Sequence, residues 1–232
     1  MLLKAEGLVK RFAGIVAVDD VSFELEENVI TGVIGPNGAG KTTLFNLLSG
    51  YHPPTEGTIE FKGERIEGLE SHEIATRGIG RTFQISRPFG EMTVRENLIT
   101  SNYDLPRAER DRRVAETLEM LDLGHQSNVL GKNLSGGQQT LLEIGRVLML
   151  DPDLILLDEP AAGVNPKLVD DIADLITETS DERTYMIVEH DITLISRLCE
   201  RVMVLNEGRL IADGPIDEVK SDPDVKKAYL GE

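Results

Sequence analysis

Gly35-Pro36-Asn37-Gly38-Ala39-Gly40-Lys41-Thr42 follows the spacing G-x-x-x-x-G-K-[ST]. Glycines let a backbone turn with its N–H groups pointing inward. Those groups, with the N-terminus of a following helix, form a cradle for anionic phosphate. A lysine in this place reaches the β and γ phosphates of a nucleoside triphosphate, and the hydroxyl after it ligates Mg2+. The pattern therefore assigns Gly35, Pro36, Asn37, Gly38, Ala39, Gly40, Lys41, Thr42 and the adjoining Thr43 to nucleotide binding. Lys41 also counts as a catalytic group and Thr42 as a metal ligand. A glycine-rich turn without a ligand is the plain alternative. The nucleotide reading needs an apolar strand before the loop and a helical segment after it, and both are present.

Two further constellations can act on phosphate. Leu154-Ile155-Leu156-Leu157-Asp158-Glu159 is an apolar run that ends on two acids. Ligands of open α/β sheets sit at the carboxyl ends of strands. Asp158 is placed to hold Mg2+ through its waters, and Glu159 to polarise an attacking water as general base. Acids also end ordinary solvated strands, so this pair takes its meaning from the phosphate loop upstream. Ser135-Gly136-Gly137-Gln138 has the S-x-x-Q spacing of a capping box, which marks a helix start. Two glycines leave that N-terminus bare, and a bare helix N-terminus attracts anions. A merely capped helix fits the same four residues.

Regular elements must carry these groups. The first 35 residues read as strands, with Phe23 and Leu25 alternating with Glu24 and Glu26. Residues 29–34 form an apolar run, 41–48 a helix stopped by Gly50, Pro53 and Pro54, and 58–61 another alternating strand. From 85 to 134 the pattern turns helical. Thr93 to Glu96 spell a capping box, and 107–123 read as an amphipathic helix with Val114, Leu118 and Leu121 on one stripe. Strand–helix alternation then returns: a helix over about 136–150, the strand at 154–157, a helix opened by Asn165 and Pro166, a buried strand at 185–188, a helix at 192–198, and a hairpin over 202–212. The expected fold class is α/β: a P-loop NTPase core with a mainly parallel sheet, an N-terminal antiparallel β part and an inserted helical subdomain. All 232 residues make one domain, in which 1–84 and 135–232 form a RecA-like core with its antiparallel part, and 85–134 the helical insert.

Composition narrows the function classes. Hydrophobic residues make up 40% of the chain, but aromatics only 4% and there is no Trp, so the core must be aliphatic. Lys and Arg number 24 against 41 Asp and Glu, a net charge of −17 that argues against non-specific binding to nucleic acid or to an anionic leaflet. A self-repelling soluble surface is one reading of this excess. Tuning for high salt is the other, favoured because the acids are spread along the chain and not gathered in a tail. The single cysteine, Cys199, excludes an internal disulfide. Residues 1–6 do not read as the start of a signal peptide, and no apolar run approaches the ~20 residues of a membrane span. Any membrane-spanning part is expected from another subunit.

Leu134-Ser135-Gly136-Gly137-Gln138 resembles the signature motif of ABC transporter ATPases, and the phosphate loop, the acid pair and further motifs stand in that family's order over nearly the whole chain. The resemblance implies ATP and Mg2+ as ligands and a role for each matching position. Phe12 looks like the aromatic that stacks on adenine; core packing is its alternative. Gln84, within Arg81-Thr82-Phe83-Gln84, looks like the catalytic and Mg2+-contacting glutamine that senses the permease. Ser135, Gly137 and Gln138 would contact the γ-phosphate of ATP held by a second, identical or homologous ATPase subunit, with Gly136 counted in the same nucleotide-binding segment. Residues 161–165 resemble the loop that crosses the dimer interface, and His190 the switch histidine that touches the γ-phosphate. The implied partners are transmembrane permease subunits, with an external solute-binding protein acting indirectly and no nucleic acid. The implied place is the cytoplasmic face of the cell membrane, peripheral through the permease.

Residues 78–84, 89–98, 159–166 and 222–232 resemble most closely the ATPases of branched-chain amino acid uptake. Asn165 stands where most of the wider family carries Asp, a departure this branch often shows. The insert between Gln84 and Leu134 is shorter than usual for the branch. Its members also serve urea, short amides and other amino acids, and a lipopolysaccharide-export ATPase has a similar ending. The expectation is an ATPase energising an importer of branched-chain or related amino acids. Urea or amide import, lipopolysaccharide-type export and a non-transport ABC ATPase are the alternatives.

Overall fold

The computed structural model describes residues 1–83 and 88–230. Its frame is a six-stranded sheet in the order β10-β9-β3-β8-β7-β6, made of β3 (Ile30–Ile34), β6 (Ile79–Arg81), β7 (Leu154–Asp158), β8 (Thr184–Val188), β9 (Arg201–Asn206) and β10 (Arg209–Gly214). Neighbours from β9 to β6 run parallel; β10 returns antiparallel in the expected hairpin. The apolar runs became inner strands: every residue of β3, β7 and β8 is buried. Alternation sends neighbours to opposite faces. Ile155, Leu157, Tyr185 and Ile187 therefore join one core layer, and Leu154, Leu156, Met186 and Val188 the other.

A second, antiparallel sheet, β2-β1-β4-β5, comprises β1 (Leu3–Phe12), β2 (Ile15–Leu25), β4 (Glu56–Phe61) and β5 (Glu64–Arg65). Its inward residues Leu3, Phe23, Ile59 and Phe61, with Leu44, Phe45 and Leu48 of α1 (Lys41–Leu48), fill the layer on one face of the large sheet. Helices α5 (Gly136–Leu148), α6 (Pro166–Thr179) and α7 (Ile192–Leu198) contribute to the layer on the other face. Cys199 lies in that layer, where burial pushes its thiol up to about 12.

Between Pro88 and Leu134 the described elements are α3 (Val94–Ser101), α4 (Arg107–Met120) and two single 3-10 turns, with one isolated bridge from Thr93 to Leu130. Val94, Leu98, Val114 and Leu118 pack into the same layer as Ile155. Gly145 of α5 lies under Leu98, Thr117 and Leu121, so the missing side chain lets these helices close on α5. Three helix starts are capped as their spacing predicts. The side chains of Thr93, Ser135 and Asn165 each accept from the amide three residues on.

Boundaries differ at several points. The helix expected to 123 ends at Met120, because Asp122 takes a φ of 51° and reverses the chain while Leu121 and Leu123 still bury. The one expected to about 150 ends at Leu148. Short elements carry too few residues to show a period and were not expected: α2 (Ser71–Thr76), β6, α8 (Ile216–Ser221) and α9 (Pro223–Leu230). In β6, Gly80 faces Val147 of α5 and Pro152 so closely that a Cβ would collide. Among the described residues, no helix is long and apolar enough to cross a membrane.

Ile155 is fully buried in the central sheet. Ile155→Ala should cost about 2–5 kcal/mol in chemical denaturation with an unchanged m-value. The net charge of −17 also predicts a melting temperature that rises from low to molar KCl as self-repulsion is screened. A flat salt response would instead fit ordinary acidic solubility.

Candidate nucleotide site

Strand β3 delivers the chain into the glycine loop, and α1 begins directly at Lys41. A Cβ at Gly35 would strike the carbonyl oxygen of Leu205. Gly40, the N-cap of α1, has a φ of 102°, and a Cβ there would strike the carbonyl oxygen of Ala17. Both positions thus demand glycine on steric grounds. The start of α1 has no side-chain cap and no acid in its first turn, which leaves its amides and the positive end of its dipole for an anion. Lys41 is 6% exposed, and its ammonium donates to the carbonyls of Gly35 (2.7 Å) and Pro36 (3.1 Å). Burial holds its pKa below the ordinary lysine value, while the charges of Glu159 and Asp158 oppose that shift.

One cavity of about 420 Å3 is lined by the loop from Asn37 to Gly40, by Ala17, Lys41, Thr42 and Thr43, and by Glu159 and His190 from across the sheet edge. Parallel pairing explains the convergence. Because β3, β7 and β8 run the same way, Gly35, Asp158 and Glu189 emerge at one edge.

Asp158 ends β7 almost fully buried, at 2% exposure. Its amide donates to Thr82 Oγ1 (3.3 Å), and its Oδ2 accepts from Arg81 Nη2 (3.3 Å). Its Oδ1 is buried without a hydrogen-bond partner. Burial pushes the carboxyl's pKa up, and the Arg81 charge and hydrogen bond draw it back. An unmatched buried carboxylate oxygen close to the Lys41 charge suits a hard cation. Thr42, which lines the phosphate cavity, would add a second oxygen donor of the kind Mg2+ takes. Glu159 follows with a φ of 53°, strained for a residue with a side chain, and its amide donates to the Val188 carbonyl (2.9 Å). Its carboxylate lies 2.8 Å from His190 Nε2.

Two residues that the sequence reading did not single out organise this edge. Arg81 is the first, through its bond to Asp158. Glu189 is the second: 4% exposed, its Oε1 accepts from the Ala161 amide (2.7 Å) and its Oε2 from the His190 amide (3.1 Å). Burial raises its pKa and those two donors lower it. The available signal was a charge set directly beside an apolar strand, which by itself does not separate a buried acid from a solvated one.

The other expected residues lie elsewhere. Phe12 is 38% exposed at the end of β1, so core packing does not account for it. Its ring stands edge-on to His52 at 5.3 Å, with Lys10 Nζ 5.0 Å from its centroid. Ser135 and Gln138 line a separate cavity of about 250 Å3 with His125, Asn165 and Lys167. Gln138 Oε1 accepts from the Ser135 amide (3.0 Å). Gly136 is exposed, whereas Gly137 is buried against α6, where a Cβ would collide with Leu168. A side chain at 137 would thus force Leu168 to move, independently of any phosphate. Gln84 lies outside the described residues. Within one chain the site divides: Lys41, Thr42, Thr43, Glu159 and His190 share a cavity, and the Ser135 helix start opens onto another.

A phosphate loop between strand and helix, with an acid pair closing another parallel strand of the same sheet, defines a P-loop ATPase of α/β class. A family model described as "ABC transporter" matches residues 18–162, and one described as "Branched-chain amino acid ATP-binding cassette transporter" matches 209–232. The chain belongs to the ABC transporter family. It is 41% identical to the high-affinity branched-chain amino acid transport ATP-binding protein BraF of Pseudomonas aeruginosa, over 100% of this chain and 98% of that one. It is 39% identical to the lipopolysaccharide export system ATP-binding protein LptB of Haemophilus influenzae, with the same coverage. Among solved structures, the ADP conformation of the ATP-binding cassette MJ1267 superposes with a TM-score of 0.89 at 36% identity, covering 100% of this chain and 99% of that one. The dimeric post-hydrolysis state of the cassette MJ0796 bound to ADP and Pi gives 0.83 at 26% identity, covering 93% and 99%.

Glu189→Gln leaves one acceptor for two backbone donors. It is expected to cost about 1–3 kcal/mol of stability and to lower ATP turnover more than ATP affinity, as denaturation, phosphate release and binding of a fluorescent ATP analogue would register.

Proposed function

We propose that the chain is the ATP-hydrolysing subunit of an ABC importer for branched-chain or related amino acids, held beneath transmembrane permease subunits at the cytoplasmic face of the membrane. The observation that carries the mechanism is the division of the site. Lys41, Thr42, Glu159 and His190 share one cavity, while the helix start at Ser135, capped by its own side chain, lines another. Two anion-binding helix starts on separate surfaces are what a face-to-face dimer uses. Each ATP then lies between the phosphate loop of one subunit and the Ser135 helix of the other. The dimeric MJ0796 cassette supports this reading.

In the proposed reaction the glycine-loop amides and Lys41 hold the β and γ phosphates. Asp158 and Thr42 would hold Mg2+, which would supply charge neutralisation on the phosphate oxygens. Glu159 takes a proton from a water as that water's oxygen attacks the γ-phosphorus. The bond from that phosphorus to the bridging oxygen of ADP breaks, and ADP and phosphate leave. His190 orients the Glu159 carboxylate. Phe12 offers its exposed ring to the adenine. The segment from 85 to about 102, within the helical insert 85–134, would pass motion to the permease, with Gln84 as the hinge. An external solute-binding protein and the permease choose the cargo.

Export of the kind named for LptB is the second reading, favoured by 39% identity over the whole chain. Co-purification of the assembled transporter, followed by uptake with a panel of labelled amino acids, separates the two. Import of leucine, isoleucine or valine supports the first, and a complex that moves none of the panel removes it.

Glu159→Gln should retain ATP binding, abolish phosphate release and accumulate an ATP-bound dimer in size-exclusion chromatography. Near-parental hydrolysis would take the general-base role from Glu159. Lys41→Ala should lose affinity for ATP itself, and labelled nucleotide bound at parental strength would refute the cradle.

A further inference from the structure

Arg81 lies at the end of β6 with its side chain 6% exposed, and it joins three elements. Nη2 donates to Asp158 Oδ2 at the end of β7 (3.3 Å). Nη1 donates to Asn46 Oδ1 (2.7 Å) on α1 and to Ser49 Oγ (2.9 Å) at the C-cap of that helix. The guanidinium also sits 5.0 Å from the Phe83 ring centroid and 5.9 Å from that of Phe45. Asn46 is one helical turn beyond Thr42, on the same side of α1. The two candidate oxygen donors for a divalent cation, Thr42 and Asp158, therefore stand on separate elements that one buried side chain ties together.

A buried ion pair is poor evidence for stability, because desolvation offsets the attraction and an apolar pair of similar volume does as well. Orientation is what the arrangement provides. With Oδ2 engaged by Arg81, the carboxylate cannot rotate freely, and Oδ1 is the oxygen left without a partner. Lysine cannot substitute, since a single ammonium lacks the planar fork that reaches Asp158 on one side and α1 on the other.

We propose that Arg81 is a positioning residue for the metal-binding half of the ATP site: it selects which Asp158 oxygen faces the cation and fixes Asp158 relative to the helix that carries Thr42. This rests on the reading of Asp158 as a Mg2+ ligand. Outer-shell partners of metal ligands typically change metal affinity by about 10- to 100-fold when removed.

The test measures binding of a fluorescent ATP analogue to the full chain across a Mg2+ titration and in EDTA. For Arg81→Met, which keeps the apolar stem, the Mg2+ concentration at half-maximal effect should rise about tenfold or more while affinity in EDTA stays within about twofold. Arg81→Lys should show the same direction. If Arg81→Met does not fold, Asn46→Ala combined with Ser49→Ala cuts the tie to α1 without burying an unpaired charge, and should raise the Mg2+ requirement less. Equal loss of affinity with and without Mg2+, or an unchanged Mg2+ titration, would overturn the proposal. Asp158→Asn separates the two ideas. If it loses the Mg2+ effect and Arg81 variants keep it, only the positioning role fails; if it too keeps the effect, the assignment of Asp158 as a ligand fails.

Discussion

Parallel strand pairing is the constraint on which the site depends. Because β3, β7 and β8 run the same way in adjacent places, their carboxyl ends share one edge of the sheet. The glycine loop, the acid pair and the Glu189–His190 pair all leave from that edge, the loop from a segment more than a hundred residues before the other two. Each of these strands is buried on both faces, so its register is set by two core layers at once. The rigidity of the sheet is therefore also the rigidity of the site.

Charge at that edge is handled by pairing within low-dielectric surroundings. Lys41, Arg81, Asp158 and Glu189 are all buried, and each pays for lost hydration through a named partner: loop carbonyls for Lys41, Asp158 for Arg81, backbone amides for Glu189. Asp158 Oδ1 and Arg81 Nε stay outside this scheme. The rest of the molecule behaves differently. The excess of acids over bases sits largely on the surface, where solvent and salt screen it. The fold thus keeps a densely paired electrostatic centre inside a self-repelling exterior.

The ends of the two short linkers beside the site show how backbone conformation serves it. Glu159 accepts an unfavourable φ of 53° at the moment the chain leaves β7, which brings its carboxylate to His190. Glu189 then clamps both the segment after Glu159, through Ala161, and the histidine, through its own amide. The acid, the histidine and the loop to α6 are therefore tied together by a side chain that does not itself line the phosphate cavity.

Much of this was legible in the chain alone. Gly35 to Thr42, the apolar run ending on Asp158 and Glu159, and the capping spacings at Thr93 and Ser135 are local patterns. Steric freedom of glycine, two-residue alternation and short-range hydrogen bonding depend on neighbours within a few positions. What only the tertiary structure decided are the meetings across sequence: Arg81 with Asp158 and α1, Glu189 with Ala161, Gly137 with Leu168, and the separation of Ser135 from the phosphate cavity. Strand β6 belongs there too, since three residues around a glycine have no period to read and exist as a strand because β7 offers hydrogen bonds. Long-range pairing follows from which surfaces pack, and no run of adjacent residues encodes it.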